Sequence, residues 1–474
     1  MSASHILDRR AGLGRAGLGR AGLGRAGLVR TGMGRAPSRV GTRWRNWAGN
    51  QRCAPSGVVT PANTEELARV VTEAAGRGQR VKPIGSGHSF TGIGLTGGIQ
   101  LALNRFTGLR AVDRRAGLVT VSAGTTLHEL NRLLDELGLA LPNLGDIDRQ
   151  TLAGALATGT HGTGRLLGGL ATQVRALELV LADGSIVWCD AGSDPELFAC
   201  ARVGLGALGV VSAVTLAVEP AFILHAQELP MPLDTVLGEL DELVAENDHF
   251  EFYWFPHTGQ TLTKRNNRRP ADAPGRPLGA VRRLVEDELM ANGAFTLTCR
   301  LGAWRPRFVP ALNRLVAGSL SRREFTDSSY RVFCSPRRVR FVEMEYAVPR
   351  DAIAAAVAGV RTVTELPGMT VSFPIEVRFA RADDIPLSTA CGRDSAYVAV
   401  HMFAGQPYRR YFDEVEAVIG SLGGRPHWGK LHSLDAATLR TRYPRFDEFL
   451  AVRERVDPAG VFGNDYLERV LGRV

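Results

Sequence analysis

The segment Ile84–Phe90, with the sequence Ile-Gly-Ser-Gly-His-Ser-Phe, decides how this chain is interpreted. It is a glycine-rich turn that follows the apolar, strand-like segment Arg80–Pro83. Because glycine has no Cβ, such a backbone can approach a phosphate closely and direct several N–H groups at it. His88 would then lie beside the molecule that carries the phosphates. Taken alone, the segment fits equally well a tight turn with a surface histidine.

Two further segments favour a ligand-binding interpretation. Leu141–Asp146 is followed by Thr151–Gly164, a run of small residues and hydroxyls with too little apolar bulk for a core strand. This composition suits backbone packed against a large flat ligand, with hydroxyl and N–H groups as donors. Near the C-terminus, His427–Lys430 places an imidazole and a cation at a glycine turn.

In this order and at these separations, the three segments resemble the aldonolactone oxidases of the vanillyl-alcohol-oxidase flavoprotein superfamily. These are the D-arabinono- and L-gulono-1,4-lactone oxidases, with the alditol oxidases as close relatives. The resemblance runs from about Asn46 to the end and includes Val456–Pro458, Val461–Phe462 and Asn464–Leu467. It implies an α+β fold with a two-subdomain FAD-binding domain of the PCMH type. A substrate cap domain with an antiparallel sheet flanked by helices would complete the fold.

The sequence pattern gives provisional domain boundaries. We expect a disordered Arg/Gly-rich tail over 1–45, an FAD-binding domain over 46–219, a cap over 220–420 and a C-terminal segment over 421–474 that returns to the flavin site. In the first domain, Thr64 is the predicted N-cap of a helix, and Asp183-Gly184 is the predicted turn of a hairpin.

The predicted cap contains segments with alternating polarity. Phe250–Phe255 and Val339–Tyr346 alternate with period two, which predicts strands with one solvent-exposed face. Strands are also predicted over Val371–Phe379 and Ala396–Phe403, and a long helix over Asp351–Leu366.

The net charge of +9 does not indicate nucleic-acid binding. Ten arginines and one aspartate in residues 1–45 account for the whole excess, so the rest of the chain is balanced. The Arg-Ala-Gly-Leu-Gly repeat there has too much glycine for a regular helix and too few leucines for a core. A targeting peptide and a true start at Met33 both remain alternatives.

Several other features point to a cytoplasmic enzyme without metal. No stretch approaches the ~18 uninterrupted apolar residues of a transmembrane helix. The six cysteines contain no Cys-x-x-Cys pair and follow no secretory segment, so we expect reduced thiols and no metal site.

The resemblance implies FAD as the cofactor and His88 as the residue that binds its 8α-methyl group covalently. A neutral imidazole is a suitable nucleophile for that bond; the alternative is that His88 only hydrogen-bonds a noncovalent flavin. The cofactor-binding residues it implies are Ile84, Gly85, Ser86, Gly87, His88, Ser89, Gly145, Asp146, Thr151, Gly154, Thr158, Gly159, Thr160, His161, Val211, His427 and Lys430.

The catalytic residues implied are Glu376, Arg378 and Lys430. Glu376 and Arg378 lie two apart on a predicted strand and therefore face the same way; a solvated Glu/Arg face is the alternative. By the resemblance, Glu376 accepts hydrogen bonds from substrate hydroxyls, Arg378 anchors the substrate, and Lys430 lies next to the pyrimidine end of the flavin. The substrate-binding residues implied are Asp146, Glu376, Arg378, His401 and Lys430. His401 could equally be structural, and His432 has no assigned role.

The expected reaction is oxidation of a sugar 1,4-lactone, with O2 as the electron acceptor. Gly145 is permissive for oxygen, because the family places a small residue beside the reacting edge of the flavin. Open-chain alditols and a different acceptor are the alternatives, as is a flavoprotein without sugar chemistry. The Gly204–Gly209 pattern lacks the strand-turn-helix context of a nicotinamide site, so we interpret it as close packing near the adenine half of FAD.

Overall fold

The computed structural model describes residues 43–270, 274–279, 292–335 and 337–474. The predicted repeat tail up to residue 42, with Met33, lies outside the described residues. Trp44–Arg45 pairs with Arg52–Cys53 as a two-stranded sheet, so regular structure begins two residues ahead of the expected domain start.

A small parallel sheet carries the glycine-rich turn. Its three strands lie in the order Gly57–Val59, Ile99–Ala102 and Val81–Ile84. The helix Thr64–Gly76 packs against it. The N-cap is Asn63 and not Thr64 as predicted, because Asn63 is the extended residue whose side chain accepts the N–H of Glu66 at 2.8 Å.

An antiparallel sheet of five strands forms the second layer. The strand order is Ile186–Asp190, Val174–Val180, Val210–Ala217, Leu118–Ser122 and Leu109–Asp113. The predicted Asp-Gly hairpin is confirmed: its two strands pair antiparallel, and the Asp183 side chain accepts the N–H of Ser185 at 2.8 Å.

One hydrophobic core joins this sheet to helices from both ends of the described chain. The helices are Leu127–Glu136, Leu152–Ala157, Pro195–Ala201, Ala436–Arg442, Phe446–Val456 and Asp465–Leu471. The C-terminal segment therefore packs against the first half of the chain.

The largest sheet has eight strands, all paired antiparallel. Their order is Arg323–Ser328, Ile223–Pro232, Gln260–Arg269, His249–Trp254, Ile375–Ala380, Ser395–Phe403, Phe341–Pro349 and Arg425–Pro426. A second core lies against it, to which the helices Leu233–Gly238, Leu240–Ala245, Ile353–Thr364 and Arg409–Ser421 contribute. Among the described residues, the remaining α-helices are Phe295–Trp304, Val309–Gly318 and Ser329–Phe333, and the remaining strands are Leu139–Ala140 and Glu219–Pro220.

The prediction of one solvent-exposed face in this sheet is wrong. Every residue of His249–Trp254 and all but the last of Phe341–Pro349 are buried. One face packs into the second core, and the other is covered by the Gly145–Gly164 region, with which its charged side chains pair. The polar residues of the pattern therefore form a buried surface.

The α+β fold is as predicted. No helix in the described part of the chain is both long and apolar enough to cross a bilayer.

Candidate active site

Two adjoining cavities contain nearly all of the predicted site residues. The larger has a volume of about 510 Å³ and the smaller about 70 Å³. Four residues line both cavities and thus join them: His88, Ser89, Gln150 and Thr158.

Backbone forms much of the wall of the larger cavity. The turn after strand Val81–Ile84 packs directly against the start of helix Leu152–Ala157. A Cβ at Gly85 would lie 2.2 Å from the Thr151 hydroxyl oxygen, and one at Gly154 would lie 2.9 Å from it. Gly87 has a φ of +67°, which favours glycine. The turn thus requires its glycines for close approach.

Gly204–Gly209 closes another side of the larger cavity. It follows helix Pro195–Ala201 and precedes strand Val210–Ala217, so it lacks the order of elements of a nicotinamide-binding motif. The buried Lys82 ammonium donates to the carbonyls of Gly206 and Phe462, each at 3.0 Å. This contact fixes Gly206 to the C-terminal segment.

His88 stands where the two cavities meet. Its ring stacks on Trp47 with a centroid distance of 5.8 Å. Burial lowers the pKa of His88, which favours the neutral imidazole. Its Nδ1 is buried and has no hydrogen-bond partner among the described residues.

These features fit FAD. The glycine turn lets the backbone approach phosphate groups closely. The buried Nδ1 of His88, which has no hydrogen-bond partner among the described residues, is available to bond the cofactor. The larger cavity, of about 510 Å³, continues into the smaller one through shared lining residues, which suits a dinucleotide with a flat ring at one end.

Charged side chains dominate the smaller cavity, and Arg378 is at their centre. Its Nε donates to Glu251 Oε2 at 2.9 Å, and its Nη2 pairs with Glu376 Oε1 and lies 3.5 Å from Asp146 Oδ2. Arg337 also pairs with Asp146. Despite its burial, Arg378 has a pKa well above the ordinary value because of Glu376, Glu251 and Asp146, so the guanidinium remains charged.

Glu376 is held by the same group of residues. The Tyr253 hydroxyl donates to Glu376 Oε1 at 2.9 Å and lies 3.1 Å from Glu251 Oε1. Burial raises the pKa of Glu376, and the carboxylates of Asp146 and Glu251 add to this rise, although Arg378 favours the charged form. Tyr253 and Glu376 are directly opposite each other on adjacent strands, as are Glu251 and Lys264.

Lys430 is held on the opposite side by two carboxylates of strand Phe341–Pro349. Its Nζ lies 2.5 Å from Glu343 Oε2 and 3.8 Å from Glu345 Oε2. Although burial opposes the charge, these carboxylates raise the pKa of Lys430, so the ammonium form is favoured. The Lys430 backbone N–H donates to the His427 carbonyl at 2.9 Å, which closes the turn.

Three histidines complete this wall. His161 Nε2 is 2.8 Å from Glu345 Oε1, and His401 Nε2 is 3.5 Å from Glu343 Oε1. Nδ1 of His427 accepts the N–H of Gly429 at 3.0 Å, and burial lowers the pKa of His427 to about 4. His427 is therefore neutral.

The predicted residues divide between the cavities as follows. The larger is lined by Ile84, Gly85, Ser86, Gly87, His88, Ser89, Thr151, Gly154, Thr158 and Val211. The smaller is lined by His88, Ser89, Gly145, Asp146, Thr158, Thr160, His161, Glu376, Arg378, His401, His427 and Lys430. Gly159 lines neither; with a φ of +77° it makes the turn after helix Leu152–Ala157. His432 also lies outside both and contacts the Tyr466 hydroxyl at 3.0 Å.

Sequence reasoning missed the residues that hold the catalytic candidates. Glu251, Tyr253, Glu343 and Glu345 were interpreted as the exposed face of alternating strands. The available signal was three glutamates in strands otherwise rich in Phe, Val, Met and Tyr. Arg337 carried no such signal, because it lies outside regular structure.

The fold and site define an FAD-dependent oxidoreductase. An FAD-binding-domain model matches residues 55–190, and a model described as D-arabinono-1,4-lactone oxidase matches residues 214–470, more than half of the chain. The chain belongs to this aldonolactone oxidase/dehydrogenase family.

Relatives with different stated activities match nearly the whole chain. The L-gulono-1,4-lactone dehydrogenase of Mycobacterium tuberculosis (strain ATCC 25618 / H37Rv) is 45% identical over 90% of this chain and 99% of its own. The L-gulonolactone oxidase of Scyliorhinus torazame is 34% identical over 91% and 99%. The alditol oxidase of a Streptomyces species is 33% identical over 91% and 100%.

Among solved structures, the cholesterol oxidase of B. sterolicum shares the fold, with a TM-score of 0.78 over 92% of this chain and 97% of its own. Its sequence identity is 17%, so the likeness concerns the fold alone.

Proposed function

We propose that this protein oxidises a CH–OH group of a sugar 1,4-lactone such as D-arabinono-, L-gulono- or L-galactono-1,4-lactone. The observation that carries the proposal is the meeting of Glu376, Arg378 and Lys430 at one small cavity that shares His88 with the larger one. A carboxylate and two cations there can bind a polyhydroxylated molecule and stabilise negative charge. When bound, FAD supplies the acceptor for the hydride of the carbinol carbon.

Glu376 orients the substrate. Tyr253 and Arg378 both contact its Oε1, which leaves Oε2 for the hydroxyls of the lactone. Because Tyr253 and Arg378 fix the carboxylate, the bound hydroxyls are fixed as well, and the reacting C–H is aligned.

Arg378 and Lys430 supply positive charge from two sides of the cavity. Arg378 anchors the substrate oxygen on which negative charge develops, and Lys430 stabilises negative charge at the pyrimidine end of the ring. Buried carboxylates hold both cations in place, so little reorganisation is needed during the reaction.

His88 holds the flavin covalently in this proposal. Support comes from its neutral ring and its unpartnered Nδ1. The new C–N bond replaces a C–H of the 8α-methyl group and the N–H of the imidazole. The two protons leave to solvent, and the two electrons pass to the acceptor that reoxidises the enzyme. Acid-precipitated protein should keep its yellow colour and the mass of one FAD, whereas His88→Ala should release the colour. A colourless wild-type pellet would show noncovalent binding.

Molecular oxygen is the proposed acceptor, with hydrogen peroxide as the product. Gly145 lines the smaller cavity, and an added Cβ would lie 3.2 Å from the His161 carbonyl oxygen and 3.3 Å from Thr160 Cγ2. Gly145→Ala therefore narrows this wall with little rearrangement, and we expect slower reoxidation by O2 with unchanged reduction by substrate. The 45% identity to a dehydrogenase favours the alternative, a different acceptor.

Alditols are the second candidate substrates, favoured by the match to an alditol oxidase over the whole of that protein. A panel of lactones and alditols, assayed for peroxide and separately with an artificial electron acceptor, distinguishes these cases. We expect the highest kcat/KM with a 1,4-lactone. Turnover of none of these compounds with either acceptor would refute the proposal.

A further inference from the structure

Both ring nitrogens of His161 face oxygen acceptors. Nδ1 lies 3.0 Å from the Gly162 carbonyl oxygen, and Nε2 lies 2.8 Å from Glu345 Oε1. The side chains of His161 and Glu345 are 4% and 7% exposed, so water does not compete for these contacts.

A neutral histidine carries one ring proton, and an ionised carboxylate carries none. The two contacts of His161 require two protons, one between Nδ1 and the carbonyl oxygen and one between Nε2 and the carboxylate. A carbonyl oxygen cannot donate, so Nδ1 must carry hydrogen. A neutral imidazole would then present a bare Nε2 to the carboxylate, and two acceptors would meet in a buried place. Although burial alone would raise the pKa of Glu345, His161 holds it well below the ordinary value. Lys430 Nζ also lies 3.8 Å from Glu345 Oε2 and favours the ionised carboxylate, so the arrangement of these groups favours placing the extra proton on the ring.

Two other buried histidines show that burial alone does not produce this state. His427 accepts an N–H at Nδ1 and is neutral. His432 meets only the Tyr466 hydroxyl at Nε2, and burial lowers its pKa to about 3. Neither contacts a carboxylate through a hydrogen bond that the described residues show.

The extra proton on His161 would balance the charges around it. In the described part of the chain, Glu343 and Glu345 pair with a single ammonium, that of Lys430. Tyr397 stacks on His161 at a centroid distance of 3.6 Å, but burial raises the pKa of its phenol, which stays neutral and bonds Thr389. Two carboxylates and one ammonium leave one excess negative charge at this wall, if the imidazoles of His401 and His427 are not counted. An imidazolium at His161 would cancel that charge.

We propose that His161 is a positioning residue whose imidazolium form pairs with Glu345 and cancels its charge at the wall of the smaller cavity. The positive charge of Lys430 then acts on the flavin without a net negative background. This inference rests on the proposed placement of the flavin ring, but its tests need no substrate. Its failure is therefore distinguishable from failure of the proposed sugar-lactone chemistry.

Nitrogen NMR of the holoenzyme labelled with ¹⁵N-histidine tests the protonation state directly. At pH 7.5 we expect both ring nitrogens of His161 to carry hydrogen, with the signals assigned by their loss in His161→Gln. His432 should show one bare nitrogen and serves as the internal control. A bare nitrogen on His161 would overturn the proposal.

The midpoint potential of the bound flavin tests whether the charge of His161 cancels that of Glu345 near the flavin. His161→Gln leaves Glu345 uncompensated, so the potential should become more negative. Glu345→Gln removes both charges of the pair and should leave the potential near the wild-type value. The double variant should return toward wild type. His432→Gln is the matched control and should have no effect.

A neutral His161 predicts the opposite pattern: an unchanged potential in His161→Gln and a raised one in Glu345→Gln. A cation bound among His161, Glu345 and His427, whose ligand-type atoms lie within 4.8 Å of one another, would also replace the proton. Metal analysis of the holoenzyme that finds a stoichiometric ion would therefore overturn the proposal as well.

Discussion

In the central strands of the eight-stranded sheet, such as His249–Trp254 and Ile375–Ala380, the two faces are both buried but chemically different. One carries Phe252, Trp254, Val377 and Val398 into the apolar core under the helices. The other carries carboxylates, a guanidinium and a phenol that pair with one another and with residues of the first half of the chain. Burying ions rarely stabilises a fold, because their desolvation offsets their attraction. The apolar face therefore maintains the fold, whereas for the ionic face we propose a role in the chemistry of the site.

The largest expected effect concerns the apolar face. Phe252 is fully buried, so Phe252→Ala should lower the free energy of unfolding by about 3–5 kcal/mol, since it leaves a cavity. Denaturant titration measures this change. Because Phe252 lines neither cavity, flavin reduction in the folded fraction should stay near the wild-type rate. A large decrease in that rate would show that the apolar face also contributes to flavin reduction, contrary to the proposed difference between the two faces.

Arg378→Ala should show the reverse pattern. Loss of a preorganised cation should slow flavin reduction about 100-fold or more, as measured by anaerobic stopped-flow absorbance. The matched control is Arg202→Ala, which removes another buried arginine whose Nη1 is 3.1 Å from Asp384 and which lines neither cavity. Near-normal reduction in Arg378→Ala would remove this residue from the active site.

Glu376 should have a smaller, graded effect. Glu376→Ala leaves the substrate hydroxyls without their acceptor, which costs about 1–3 kcal/mol in transition-state binding. Glu376→Gln keeps an acceptor oxygen and should be milder in both KM and reduction rate. Equal KM values and equal reduction rates in the two variants would show that the carboxylate does not bind the substrate hydroxyls through its oxygens.

The smallest effect is expected for the N-terminal repeat. Within residues 1–32, Arg10–Leu28 repeats one leucine per five residues and contains none of the predicted site residues. Their deletion should leave unfolding midpoint, flavin content and turnover unchanged within error. Loss of flavin or activity on deletion would show that the repeat contributes to the folded enzyme.

The sequence predicted those parts of the site that are formed by contiguous segments. The larger cavity is made by contiguous segments, such as Ile84–Ser89 and Thr151–Thr158, whose glycines and threonines are informative by themselves. Glu376 and Arg378 were identifiable because a single strand carries both. These predicted roles stay predictions, but their clustering was foreseeable.

The ionic partners could not be predicted because they depend on strand pairing. Glu251 is near Arg378 only because their strands are neighbours, although 127 positions separate them. Period-two alternation does not tell an exposed polar face from one covered by another part of the chain. The same ambiguity hid Glu343 and Glu345, and with them the environment of Lys430 and His161.

The most direct test of the account is anaerobic reduction of the wild-type holoenzyme by L-gulono-1,4-lactone, unlabelled or deuterated at the oxidised carbon. We predict that the oxidised flavin absorbance disappears within a single turnover and that deuterium slows this step, because in the proposed reaction this C–H bond breaks as the flavin is reduced. Absorbance that persists with the lactone, or a reduction rate that deuterium leaves unchanged while Arg378→Ala reduces as fast as wild type, would contradict the account.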